Sequence, residues 1–193
     1  AFDQLSSEKG LPVSTRLLDE CHHRLMQGVR GKDKQPGEIR RSQVWVGGTR
    51  PANAVFVPPP WDHVRDLLGA LENYIHSDDD LPPLLRIAAA HAQFETIHPY
   101  LDGNGRIGRL LIALLLAHWR ALDAPLLYLS VYLKEHQAEY YDRLGSIRRS
   151  GTWADWFRFF LEGIIEVATL AAATASAMNR QVNNDRKILI SAE

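Results

Sequence analysis

Residues 98–109 read His98-Pro99-Tyr100-Leu101-Asp102-Gly103-Asn104-Gly105-Arg106-Ile107-Gly108-Arg109. A proton acceptor, a hard oxygen ligand, a glycine-lined turn and two arginines therefore fall almost side by side, as a site for a polyphosphate requires. His98 precedes a proline, which disfavours the α region there and projects the imidazole from the end of the preceding helix. An imidazole so placed can take a proton near neutral pH, although a lone histidine more often merely caps a helix. Asp102 suits Mg²⁺, which binds one or two carboxylates and fills its shell with water and phosphate oxygens; an Asp before Gly is also an ordinary turn former. Gly103 and Gly105 let successive amides converge on an anion, and the Asn104 amide can donate from the side. Arg106 and Arg109, three apart at a helix start, share one face and point back at the loop as two forks. Cations at a helix N-terminus cost about 0.3–1 kcal/mol each unless an anion sits between them. With Ile107 and Gly108 between the arginines, residues 103–109 form one candidate nucleotide-binding stretch.

Such a loop needs a helix on each side. The run ending at Ile97 reads as one, and Leu110-Leu111-Ile112-Ala113-Leu114-Leu115-Leu116 restarts another at once, so the loop ends at a helix N-terminus whose amides face an anion. Apolar residues recur at helical spacing from Leu17 onward, predicting an all-α chain with helices near 14–27, 60–76, 81–97, 105–121, 133–148 and 153–179. Ser14, Ser130 and Thr152 are candidate N-caps. One segment breaks the pattern: Val44-Trp45-Val46 and Ala54-Val55-Phe56-Val57 are β-prone runs parted by Gly47-Gly48 and Pro51, which predicts a hairpin across residues 42–58. A hairpin of this kind could equally cover a core edge or receive a peptide.

The dozen residues resemble the pattern His-x-Phe-x-Asp/Glu-Gly-Asn-Gly-Arg-x-x-Arg of the Fic (filamentation induced by cAMP) family, with Tyr100 in place of the usual Phe. The stretches 40–48, 57–60, 91–97 and 139–144 are similar too. The resemblance implies a single Fic domain over residues 1–193, a helical bundle with a flap beside the active-site loop. It implies transfer of AMP from ATP to a hydroxyl side chain of a target protein, with pyrophosphate leaving. His98 would deprotonate the hydroxyl, Asp102 would hold Mg²⁺, and Gly103, Asn104 and Gly105 would cradle the α and β phosphates. Arg106 and Arg109 would bind the outer phosphates. Relatives that phosphorylate carry Lys where this chain has Gly105, which favours nucleotidyl transfer. Val55 and Phe56 of the flap would align the target by adding it as a strand. Tyr140 and Tyr141 resemble residues lining the nucleoside side of the pocket, but aromatic residues on a helix pack as readily as they stack on a base. His91 would support the loop. Tyr100 would anchor it in the core, its hydroxyl needing a partner. Two other readings stay open, transfer of another nucleotide such as UMP or GMP, and a nucleotide-sensing regulatory module without turnover.

Composition narrows the class. At 193 residues with a formal net charge of -1, the chain fits one domain and carries no field that would draw it to nucleic acid or membrane. Cys21 is the single cysteine, so no internal disulfide framework exists and a cytoplasmic location is expected. The apolar run 110–117 is far short of the roughly 20 residues of a membrane span. Besides His91 and His98, the histidines (His22, His23, His63, His76, His118 and His136) read as surface or packing residues. The family's inhibitory pattern, Ser/Thr-x-x-x-Glu-Gly/Asn, is not matched: Glu72-Asn73 has Leu68 at the required place, Glu162-Gly163 has Arg158, and Ser6 to Gly10 has the wrong spacing. Ala1 to Leu5 reads as the tail of an interrupted helix and Arg186 to Ile190 as the start of a new element. The expectation is therefore a fragment, with an inhibitory helix upstream and a winged-helix DNA-binding domain beyond residue 193, the latter being the route to nucleic acid. The resemblance also allows a homodimer.

Overall fold

The computed structural model describes residues 12–27, 34–121 and 129–190. Its helices are α1 (Thr15–Met26), α2 (Val64–His76), α3 (Pro83–Ile97), α4 (Asn104–His118), α5 (Leu129–Glu135), α6 (Gln137–Ser150) and α7 (Trp153–Ile190). α3 lies at the centre, packed on α2, α4 and α7. It buries Ile87, Ala88, Ala90, His91, Ala92, Phe94, Glu95 and Ile97, so it is lined by neighbours on nearly every side, as an unstriped helix must be. α2 instead carries one stripe, Val64, Leu68, Leu71 and Ile75. The first turns of α7 close the core with Trp156, Phe159 and Phe160, and the Trp156 Nε1–H donates to the Ala88 carbonyl at 3.0 Å.

Several local expectations change. The predicted helix 133–148 is two helices broken at His136, whose ψ of 32° leaves the helical region. α7 runs unbroken to Ile190, so 186–190 is not a new element; the expectation for 1–5 lies outside the described residues. Ser14 caps α1, its Oγ accepting from the Leu17 N–H at 3.3 Å. Ser130 falls inside α5. Thr152 precedes α7, but its hydroxyl is buried without a hydrogen-bond partner among the described residues. An 18-residue stretch of α7 has mean hydropathy 1.4, so by length and composition this helix could cross a membrane. The sequence reading, which sought one unbroken apolar run, passed over it, and the first turns of α7 are fixed in the core.

The expected flap hairpin is not formed as strands. A single antiparallel bridge joins Val46 to Phe56, with the Val46 N–H donating to the Phe56 carbonyl at 2.8 Å. Gly47 and Gly48 follow at once in the left-handed region, φ +69° and +71°, and turn the chain into a short helical turn at Pro51–Asn53. Beyond Phe56, Pro58, Pro59 and Pro60 lack the N–H a ladder requires. These residues stop the pairing after one bridge.

Candidate active site

α3 ends at His98, which takes φ +50° and ψ +62°. This left-handed turn ends the helix and is held by Arg40, which is 1% exposed. The Arg40 guanidinium donates to the carbonyls of His98 (2.9 Å), Pro59 (2.6 Å), Ser42 (3.1 Å) and Ile97 (3.3 Å), and its backbone N–H donates to the Pro99 carbonyl. One buried cation thus satisfies carbonyls at the C-terminus of α3 and joins them to the stem of the flap, a favourable place for positive charge. Arg40 stands beside an exposed Arg41, and nothing in the sequence around it signals burial.

The loop is built from within. Asn104 is 2% exposed; its Oδ1 accepts from the Tyr100 N–H at 2.8 Å and its Nδ2 donates to the Tyr100 carbonyl at 2.7 Å. The amide expected to reach toward an anion therefore clasps the loop instead. Tyr100 is buried in the core, and its hydroxyl donates to Asp19 Oδ1 at 2.9 Å. His22, read as surface or packing, is wholly buried and stacked flat on Tyr100 with ring centroids 3.9 Å apart. The Gly37 N–H donates to its Nδ1 at 2.8 Å, so the proton sits on Nε2 and is donated to the Asp102 carbonyl at 3.0 Å. Burial holds His22 below its ordinary range, in keeping with that neutral tautomer.

At the start of α4, Gly103 has φ +81° and lies against His22 and Met26. The Gly103 N–H donates to Asp102 Oδ1 at 2.6 Å, and the Arg106 and Ile107 amides donate to the Gly103 carbonyl. This leaves the Asn104 and Gly105 amides as the unpaired first-turn donors expected at a helix N-terminus. Ile107 and Gly108, expected in the nucleotide-binding stretch, face the other way: Ile107 is 0% exposed, and Gly108 is buried where a Cβ would meet Glu95 Oε1 and lie 3.2 Å from His91. Arg106 reaches back to Met26 Sδ at 3.2 Å and to Asp102 Oδ2 at 3.9 Å. Arg109 folds toward Gly105, its Nη1 3.3 Å from where a Cβ there would stand. The two guanidinium groups thus flank the free amides. Asp102, with its side chain 51% exposed, offers hard oxygens to solvent beside them. It stands alone, since no cluster of three metal-binding side chains occurs among the described residues, and one carboxylate fits Mg²⁺ that takes its other ligands from phosphates and water.

Behind the loop lies a buried polar layer. His91 Nδ1–H donates to the Gly108 carbonyl at 2.9 Å, which makes Nε2 the acceptor of the Tyr140 hydroxyl at 2.9 Å. Burial pushes His91 down to about 4. The Glu95 carboxyl is buried with Oε1 unpartnered among the described residues, and burial raises it to about 7 against the pull of Arg109 and Arg148. His98 is also held down to about 4, first by burial, then by the charges of Arg148 and Arg40, while the Glu95 carbonyl and Asp102 act in the opposite sense. The imidazole is therefore neutral and free to accept a proton at pH 7. Of the tyrosine pair, Tyr140 belongs to the core, whereas Tyr141 is 53% exposed. Tyr141 lines a cleft of about 480 Å³ with Val46, Val55, Phe56, Gly145 and Arg148, between the flap and α6. A cleft of that size accommodates a small molecule. Neither this cleft nor a larger one, about 690 Å³ between α1 and residues 36–37, is lined by residues 98–109.

The sequence model of the Fic/DOC family matches residues 12–116. The chain is 34% identical over 152 residues to the protein adenylyltransferase Fic of Aedes aegypti, covering 78% of this chain and 27% of that protein. It is 31% identical over the same share of each to the one from Culex quinquefasciatus. In three dimensions it resembles a Fic family protein from Desulfovibrio desulfuricans G20 with a TM-score of 0.73 and 26% identity, covering 90% of this chain and 52% of that one. The chain thus spans about a quarter of the length of these curated relatives.

Proposed function

Since this chain belongs to the Fic/DOC family, we propose that it transfers AMP from ATP to a hydroxyl side chain of a target protein. The observation that carries this reading is a neutral His98 imidazole at the first residue of the same loop whose far end presents the Asn104 and Gly105 amides between Arg106 and Arg109. His98 would accept the proton of the target hydroxyl as its oxygen bonds to the α-phosphorus, and the bond from that phosphorus to the bridging oxygen would break, releasing pyrophosphate. The Asn104 and Gly105 amides would hold the phosphates in line, and the two arginines would neutralise the leaving group; positioning and fixed charge would supply the rate. Asp102 would hold Mg²⁺, which contributes charge neutralisation when bound. Tyr141 and the flap would border the nucleoside. Val55, 79% exposed beside the single bridge, would offer its edge to an extended target segment.

The test is incubation with α-³²P-ATP and Mg²⁺, with and without cell lysate, beside His98→Ala. Label on protein that disappears in the variant, while ATP binding persists, supports the reading. Saturable ATP binding with no labelled protein in either case would instead indicate a nucleotide-sensing module, and preferential label from UTP or GTP would identify a different nucleotide.

A further inference from the structure

Arg148, in the last turns of α6, touches two other parts of the molecule, the flap and α3. Its guanidinium carbon lies 3.7 Å from the centroid of the Phe56 ring, on the segment bridged to Val46. Its Nε–H donates to Thr96 Oγ1 at 3.1 Å, and that hydroxyl donates in turn to the Ala92 carbonyl at 2.8 Å. The hydroxyl has one proton, already directed along α3, so its lone pair meets Arg148 in one fixed direction. Thr96 is two residues before His98. No carboxylate lies within ion-pair distance of Arg148 among the described residues, so its contacts are the ring and the hydroxyl. Beyond the stem, which Arg40 and the Gln43–Pro58 hydrogen bond hold, the flap has little to hold it: one bridge, exposed Val55 and Val57, and glycines at its bend. A planar guanidinium can stack by its face and donate from its edge at once, which an ammonium cannot.

We propose that Arg148 is a positioning residue that docks the flap onto the last turn of α3, keeping the edge that would receive the target in register with His98. In its consequence for the reaction this rests on the AMP-transfer reading. Without Arg148 the flap keeps its backbone bridge and the Arg40 tie at its stem, but the Phe56 end loses its anchor to α3. The target segment then meets a moving edge.

The experiment uses backbone ¹⁵N relaxation on the whole chain, comparing wild type, Arg148→Met, Arg148→Lys, Phe56→Leu and the Arg148→Met/Phe56→Leu double variant, each first shown by its thermal melt to be folded. The order parameters of the Val46 and Phe56 amides should fall from the rigid value of about 0.85 to below about 0.6 in Arg148→Met, with α4 unchanged. Phe56→Leu should give the same drop, the double variant no more than either, and Arg148→Lys a partial rescue. With a labelled target, Arg148→Met should raise the target's KM by about 3- to 30-fold, the range of such a contact. An unchanged flap in Arg148→Met, or additive effects in the double variant, overturns the proposal. A wild type that transfers no nucleotide while the flap loosens as described overturns the AMP-transfer reading and leaves the docking role standing.

Discussion

At the scale of single residues, the loop couples a weak base to a strong anion site. A base acts best when its pKa lies near the working pH, yet burial and two arginines keep His98 at about 4. A bound triphosphate, held at Arg106 and Arg109 on the same loop, brings negative charge that would oppose part of that effect. The His98 imidazole should therefore titrate at higher pH in the presence of a non-hydrolysable ATP analogue than without it, by histidine-selective NMR; an unchanged or lowered value would remove His98 from the neighbourhood of the phosphates. Asn104 offers a second case. Its side chain clasps Tyr100 and not a ligand, so Asn104→Ala should lower stability by about 1–3 kcal/mol from the two buried backbone groups left unpaired, read by urea denaturation.

At the scale of elements, the site depends on how closely α3 and α4 approach. Gly108 leaves room for Glu95 and His91, and a methyl there collides with the buried carboxylate oxygen. Gly108→Ala should cost about 1–3 kcal/mol through overpacking, against the gain an exposed helical Gly→Ala would bring. A stabilised variant by thermal melt would contradict the crossing described. Arg40 joins the end of α3 to the flap stem through four carbonyl acceptors. Arg40→Met should cost on the order of 3 kcal/mol by leaving buried carbonyls unsatisfied. In NMR it should perturb His98 and residues 42–59 together; shifts confined to one of the two would show that they are not coupled through this side chain.

At the scale of the whole molecule, buried and half-buried histidines set the pH response. His22, His91, His98 and His118 all have their pKa values depressed, His91 and His98 to about 4. The unfolded chain binds protons at about 6.5 that the native state refuses, so their contribution is complete above that pH and is lost as pH falls toward 4. Glu95, raised to about 7, has the opposite sign, because the native state holds its proton longer and stability declines as pH rises through 4.5 to 7. Asp19, raised by burial, acts in the same sense as Glu95, but His91 and His98, each depressed from 6.5 to about 4, together outweigh the rise of Glu95 from 4.5 to about 7, so denaturant stability should rise between pH 4.5 and 6.5. Glu95→Gln, which removes one opposing group, should steepen that rise, and a flat profile in both proteins would mean these histidines are not buried as neutral rings.

The all-α class, the helix stripes, and the loop with its base, carboxylate, glycines and arginines were legible in the sequence, because spacing along one chain is local and helix periodicity writes it directly. The flap was only half legible: β-prone runs marked it, but the glycine pair and the prolines beyond Phe56 limit it to one bridge. Partners brought together from afar were not legible. Nothing near His22 signals its stack on Tyr100, and nothing near Arg40 or Arg148 shows that each reaches the end of α3. The same holds for the division of roles within 103–109, where Asn104, Ile107 and Gly108 turn inward and the arginines outward. Sequence spacing determines which residue types share a helix face, whereas which face is buried, and against what, is decided only when the helices pack.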